Sequence, residues 1–200
     1  MGMGWLMALC ASQKAPRARS TRRLPYVTVQ RQGRPIPASW KRRNDRYKPH
    51  MNRYVSLILF LILVLGGGVA LSGLTVPGAW YASITKPAFN PPAWIFAPAW
   101  TVLYILIAVA GWLVWQRDRT GLPMKLWWAQ LALNFMWTPV FFGAHQIGLA
   151  FLIILLMLAA ILAFIGTEWR QARVTAWLFA PYAAWVAFAA VLNGSIWAMN

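Results

Sequence analysis

The stretch LWWAQLALNFMWTPVFFGAHQIGLAFLIILLMLAAILAFIGT (residues 126–167) contains no Lys, Arg, Asp or Glu. A helix crosses the hydrocarbon of a bilayer in about 20 apolar residues. The run is therefore too long for one crossing and far too apolar for the surface of a soluble domain. Gly143-Ala-His-Gln-Ile-Gly148 breaks it into two. Working outward, residues 54–85, 87–116 and 174–200 are equally free of charge. These runs predict an all-α integral membrane protein, a five-transmembrane-helix bundle with spans near 54–74, 92–115, 124–143, 148–168 and 174–198. Barrel strands are excluded, because the runs lack the alternation that separates a lipid face from a lumen face.

Composition agrees. The chain is 60% hydrophobic and only 11% charged, with three acidic residues, Asp45, Asp118 and Glu168. Its net charge of +16 is concentrated in residues 1–53, which hold 13 Lys or Arg against Asp45. This basic, Pro- and Ser-containing arm shows no sustained apolar period and reads as disordered, ahead of a membrane domain over residues 54–200. Membrane lipid is its expected polyanion, with no nucleic acid as partner, and organelle targeting is an alternative use. MNRYVSL from Met51 also reads as a natural beginning for a membrane protein, so the first 50 residues are equally expected to be a mis-assigned start. The single cysteine, Cys10, excludes an internal disulfide framework and a CxxC site.

Loop charge sets the orientation. Arg117, Arg119 and Lys125, and then Arg170 and Arg173, fall on the side of the N-terminus, and only Lys86 falls on the other. The N-terminus is expected inside and the C-terminus outside.

The one long connection, residues 75–93, carries TKPAFNPPAW from Thr85. Pro87, Pro91 and Pro92 fix their own φ angles and keep the preceding residues out of the helical region. A stiff outer loop is expected, holding Trp80, Tyr81, Phe89 and Trp94 near the membrane surface. Trp80, Trp112, Trp115, Trp127, Trp128, Trp169 and Trp177 lie at predicted helix ends and are expected in the interfacial aromatic belts. Trp137 and Trp185 lie deeper, where an indole N–H needs a partner, and both are expected to face the bundle interior.

Gln130, Asn134, Trp137 and Phe141 share one helical face. A carboxamide such as Asn134 at membrane depth finds its hydrogen bonds in a neighbouring helix or in a ligand. Tyr182, Trp185, Ala189 and Asn193 follow the same spacing on the last span, where Ala189 between bulky neighbours is expected to leave a recess. Gly66–Gly68, Ala70 and Ser72 read as a close-packing or dimerisation face, and the fourth span as a lipid- or partner-facing helix. Pro98, Pro139 and Pro181 are expected to kink their helices. The interior so described is aromatic, sparsely polar and suited to a flat apolar ligand.

Chemistry-bearing sets are missing. The predicted spans contain no carboxylate, no nucleophile–base grouping and no zinc spacing. Without ionisable groups at mid-membrane, ion-coupled transport is not expected. His145 sits in an outer turn, where a polar turn residue is the simpler reading than a metalloporphyrin ligand.

WYASITKPAFNPPAWIFAPAWTVLY from Trp80, QLALNFMWTPVFFG from Gln130 and PYAAWVAFAAVLN from Pro181 resemble, in this order, the TspO/MBR family of tryptophan-rich sensory proteins and translocator proteins. The resemblance covers about residues 54–200. It implies a five-helix bundle, commonly a homodimer, with a pocket beneath the first outer loop for a tetrapyrrole such as protoporphyrin IX. In animal members, cholesterol or benzodiazepine-type drugs are also ligands. It implies ligand contacts from Asn134, Trp137, Trp185, Phe188 and Ala189, with Phe89 and Trp94 from the loop. The porphyrin is expected as a ligand; no cofactor and no metal is expected. This chain departs from the family pattern at Phe89, where the KPxW element usually carries Trp, a position linked in some members to tetrapyrrole photochemistry. It departs again at Gly194, where a cholesterol-recognition motif would place Tyr.

Three functions follow as expectations. The first is a tetrapyrrole-binding sensor or translocator. The second is light-dependent porphyrin breakdown with Trp185 as electron donor. The third is a non-catalytic assembly subunit using the small-residue faces of the first and last spans.

Overall fold

A computed structural model describes residues 52–75 and 78–200. The basic arm expected over residues 1–53 lies outside the described residues except for Asn52 and Arg53.

The first helix, α1, begins as Arg53–Leu61, loosens into a π-helical turn over Ile62–Gly66 and resumes as Gly67–Leu74. Asn52 caps it by accepting the Tyr54 N–H at 3.1 Å, which satisfies one of the free donors of a first turn. A short helix α2, Ala79–Ser83, follows in the loop after α1, and the outer end of the bundle is the end that carries this loop. Pro92 then stands at the N-cap of α3, Ala93–Arg117, where a missing N–H costs nothing. The chain turns at Asp118, whose carboxylate accepts the Thr120 and Gly121 N–H groups at 3.0 Å each.

Helix α4, Leu122–Thr138, continues as a π-helical turn over Pro139–Gly143. Proline removes one rung of the i→i−4 ladder, and a widened turn accommodates the loss. His145, at φ 56°, reverses the chain into α5, Ile147–Gln171. A single residue, Ala172, then separates α5 from α6, Arg173–Met199.

The described residues are helical without strands. Four of the expected spans are long and apolar enough to cross a membrane: Arg53–Gly73, Ala93–Arg117, Ile147–Gln171 and Arg173–Met199. The expected third span is the exception in form. It has 17 residues of α-helix before Pro139 and five of π-helix beginning at it. Pro98 and Pro181 lie inside helices that run on unbroken.

Helix α5 packs between α4 and α6, while α3 bridges α1 and α6. Lipid tails are as apolar as the helices, so association rests on close packing and interhelical hydrogen bonds rather than on burial from water. Gly68 lies under the Tyr104 ring and Gly111 under the Trp127 indole; a Cβ at either glycine would collide with the aromatic. The glycines of α1 thus admit side chains of this same chain, Phe135 at Gly67 and Tyr104 at Gly68.

Three further expectations change on inspection. Trp127 is not in a belt: it is fully buried and donates its indole N–H to the Ile107 carbonyl at 2.9 Å. Helix α5 is not a lipid-facing helix alone. Ile153, Ile154, Met157, Ile161 and Phe164 are buried along one face while Leu152, Leu155, Leu156 and Leu162 are exposed on the other. Finally, Glu168 stands at the end of the predicted fourth span and α5 runs on to Gln171, so a carboxylate does lie within a membrane helix, contrary to the expectation of none. It is fully buried there and paired with Arg117 of α3.

Candidate functional site

The bundle's outer half contains an open groove of about 910 Å³ between α3 and α6. Ile95, Pro98, Ala99, Val102 and Leu103 form one wall, and Pro181, Ala184, Trp185 and Phe188 form the other, with Pro91 at its outer edge. At 1.5 Å per residue, the α3 wall from Ile95 to Leu103 runs about 12 Å along the helix. Each wall contains a proline, and each proline frees the carbonyl one turn earlier from its usual helical bond. Pro98, Val102, Pro181 and Ala184 are exposed, so the groove opens sideways.

Aromatic rings stand edge to face at its base. Trp185 meets Phe96 at 5.9 Å, Phe188 at 6.1 Å and Trp100 at 6.5 Å between ring centroids. Such tilted and T-shaped pairs place the positive edge of one ring on the negative face of the next. From the loop, Phe89 reaches Phe188 at 6.4 Å and is about half exposed. Trp94 is 73% exposed.

Behind these rings lies a polar relay that joins four helices. The Tyr104 hydroxyl donates to Asn134 Oδ1 at 3.1 Å, and Asn134 Nδ2 donates to the Tyr182 hydroxyl at 2.9 Å. The Tyr182 hydroxyl in turn points to Met157 Sδ at 3.3 Å. Asn134 is 4% exposed, so the amide the sequence singled out is held by the bundle itself. Trp100 connects the relay to the groove, because its ring packs on Tyr104, Tyr182 and Trp185.

Trp137 belongs to a different cluster. Its indole N–H donates to Asn193 Oδ1 at 3.1 Å, and Asn193 Nδ2 donates to the Ile147 carbonyl at 3.1 Å. Its ring stacks on Phe141. Of the seven expected contacts, the structure therefore brings Trp185 and Phe188 to the groove, with Phe89 packed against Phe188 beside it. Asn134 sits behind it, Trp137 stands in the outer cluster with Phe141, and Ala189 packs partly buried against the core. Trp94 lies near the groove in sequence but projects outward. Trp100 escaped the sequence reading, although Phe96, Trp100 and Tyr104 follow one another at i, i+4 and i+8 on one face of α3.

The outer loop covers this end of the bundle. Trp80 stacks on His145 at 4.1 Å and abuts Phe141, and Tyr81 packs on Phe141 and Phe142. Burial raises the Tyr81 phenol above its ordinary 10.0, against a smaller lowering by Asn90. The Lys86 ammonium lies 4.7 Å from the Tyr81 ring centroid and donates to the Ile84 carbonyl at 3.0 Å. Pro87 is buried. No group of three or more His, Cys, Asp or Glu able to hold a metal occurs among the described residues.

Comparison with known proteins bears on this arrangement directly. The TspO/MBR family model matches residues 58–198. Protein CrtK of Rhodobacter capsulatus is 34% identical over 152 residues, covering 73% of this chain and 95% of that protein. The tryptophan-rich sensory protein of Cereibacter sphaeroides is 35% identical, covering 75% of this chain and 95% of its own length. The translocator protein of Ovis aries is 42% identical over 127 residues, covering 60% of this chain and 75% of that protein. With the helices, the aromatic groove and the loop in place, these matches make the chain a multi-pass membrane protein that belongs to the TspO/MBR family.

Proposed function

We propose that this protein binds a tetrapyrrole such as protoporphyrin IX between α3 and α6, beneath the outer loop, and acts as a membrane sensor or translocator for it. The groove carries this reading. Its volume of about 910 Å³ lies within the range of about 300–1,000 Å³ usual for ligand sites. Its walls are apolar, and Trp185 and Phe188 offer ring surfaces to a flat macrocycle. The names of the related sensory and translocator proteins favour sensing or transport over structural assembly. In this reading the porphyrin is cargo or signal and no resident cofactor is needed. The protein's N-terminus lies inside and its C-terminus outside, as the distribution of basic residues favours, and the family resemblance favours a homodimer.

Trp185, Phe188 and Phe89 contact the ligand directly. Asn134 acts from behind, because its amide is buried and already bonded to the Tyr104 and Tyr182 hydroxyls. Trp137 and Ala189 support the wall, and Trp94 faces the entrance.

The test is a titration of the full chain in lipid nanodiscs with protoporphyrin IX in the dark, followed by Trp fluorescence. Saturable quenching that weakens in Trp185→Phe, and less steeply in Asn134→Ala, is expected. Weak, unsaturable quenching identical in all three proteins would mean that the porphyrin merely partitions into lipid, and the proposal would fall.

A further inference from the structure

The outer loop is held to the bundle almost wholly by apolar packing. Its hydrogen bonds are mostly its own: Ala82 N–H to Gly78, Ile84 N–H to Trp80, Asn90 N–H to Pro87, Ser83 Oγ to Trp80 and Lys86 Nζ to Ile84. Among the described residues, one side chain alone hydrogen-bonds residues 78–91 to another helix, and it comes from the far end of the chain. Asn200, just past α6, accepts the Thr85 N–H on Oδ1 at 2.9 Å and donates from Nδ2 to the Thr85 carbonyl at 3.0 Å. The same Nδ2 also donates to the Ile196 carbonyl at 2.8 Å. One amide thus engages both backbone groups of a single loop residue, as a neighbouring strand would, while its other proton anchors it to the last turn of α6.

The position of this clamp gives it a role. Thr85 stands immediately before Lys86-Pro87-Ala88-Phe89, and Pro87 is buried. Phe89, four residues on, meets Phe188, and Pro91 edges the groove. Proline at positions 87, 91 and 92 stiffens the segment between clamp and groove, so a displacement at Thr85 carries through to Phe89 instead of dissipating. On the other side of Thr85, helix α2 is docked through Trp80 and Tyr81 onto the π-helical turn of α4.

We infer that Asn200 is the latch of this loop: its side chain holds Thr85, and so keeps Phe89 and Pro91 in place at the outer edge of the groove and slows exchange of the groove's occupant. Asn200 is a positioning residue that touches no ligand. Only an amide satisfies Thr85 in this way. Aspartate keeps the acceptor for the Thr85 N–H but offers no donor to the carbonyl, and alanine offers neither. The gating half of the inference rests on the groove being the binding site; the latch itself does not.

The experiment compares the full chain with Asn200→Ala and Asn200→Asp in nanodiscs. It measures hydrogen exchange at the Thr85 amide without ligand, and then the dissociation of protoporphyrin IX after dilution into excess empty nanodiscs. Net contributions of single hydrogen bonds imply that loss of two speeds Thr85 exchange by roughly ten-fold or more in Asn200→Ala, with Asn200→Asp between it and the parent. Porphyrin dissociation accelerates in the same order. Unchanged Thr85 exchange in Asn200→Ala would overturn the latch. Faster exchange with unchanged porphyrin dissociation would overturn its role as a gate. If no protein binds porphyrin saturably, the site reading fails, and the exchange result still decides the latch by itself.

Discussion

The two ends of the bundle are held together by different physics. At the inner end, where the chain enters α1, interhelical polar bonds tie together a packed core that also includes rings such as Phe60 against Trp127. Ser56 Oγ accepts from Trp112 Nε1 at 3.1 Å and from Gln116 Nε2 at 2.8 Å, joining α1 to α3. Trp127 of α4 is seated on Gly111 of α3 and bonded to Ile107. Arg117 pairs with the fully buried Glu168. At the outer end the contacts are chiefly ring against ring, with hydrogen bonds at Asn193 and Asn200 and a groove left open. Aromatic edges can slide and re-form at modest cost, whereas a buried polar group that loses its partner cannot. An adaptable outer half on a fixed inner half is what a binding protein needs if its loop must open while its helices stay paired.

The largest effect that would break this contrast lies at Arg117. Arg117→Ala leaves the Glu168 carboxylate buried without its cation and is expected to cost about 3–5 kcal/mol, measured by unfolding in mixed micelles. Glu168→Gln costs less, because Arg117 is already 35% exposed and can turn to water. Equal losses from both changes would show that the inner lock is not built on a stranded carboxylate. Next comes Gly111→Ala, whose methyl would enter the space of the Trp127 ring; overpacking of this kind costs about 1–3 kcal/mol. At the outer end, Trp137→Phe keeps the stack on Phe141 and removes the bond to Asn193, at about 1 kcal/mol. A Trp137 loss larger than that at Gly111 would reverse the assignment of the rigid end.

The smallest effect concerns pH. The Thr120 and Gly121 N–H groups hold the Asp118 carboxyl below its ordinary 3.8. A depressed carboxylate stabilises the fold fully above 3.8, and that contribution disappears as pH falls through the lower folded value. The turn between α3 and α4 should therefore loosen only in strong acid, a change readable in its amide exchange and absent in Asp118→Asn.

What the sequence made legible follows the range of each interaction. Uncharged runs and their breaks marked the four helices long and apolar enough to cross a membrane, because length and apolarity are local properties. The i, i+4 spacing of polar groups found Asn134 and Trp137 and left open whether a helix or a ligand satisfies them; Tyr104, Tyr182 and Asn193 now occupy those bonds. Position near a helix end suggested a belt for Trp127, yet the absence of a side chain at Gly111, on another helix, is what draws that ring inward. Trp100 went unnoticed among many tryptophans, although its spacing from Phe96 and Tyr104 was visible. The bond from Asn200 to Thr85 joins residues 115 positions apart, and no local period encodes it.

One measurement tests the division most directly. Each of the 14 tryptophans carries an indole N–H, and a bound porphyrin ring shifts the resonances of those beside it. Indole ¹⁵N–¹H spectra of the protein in nanodiscs, assigned by single Trp→Phe variants and titrated with protoporphyrin IX in the dark, should move Trp185 and Trp100 most. Trp112 and Trp127 should stay in place. Shifts at Trp112 or Trp127 with Trp185 stationary would contradict the account.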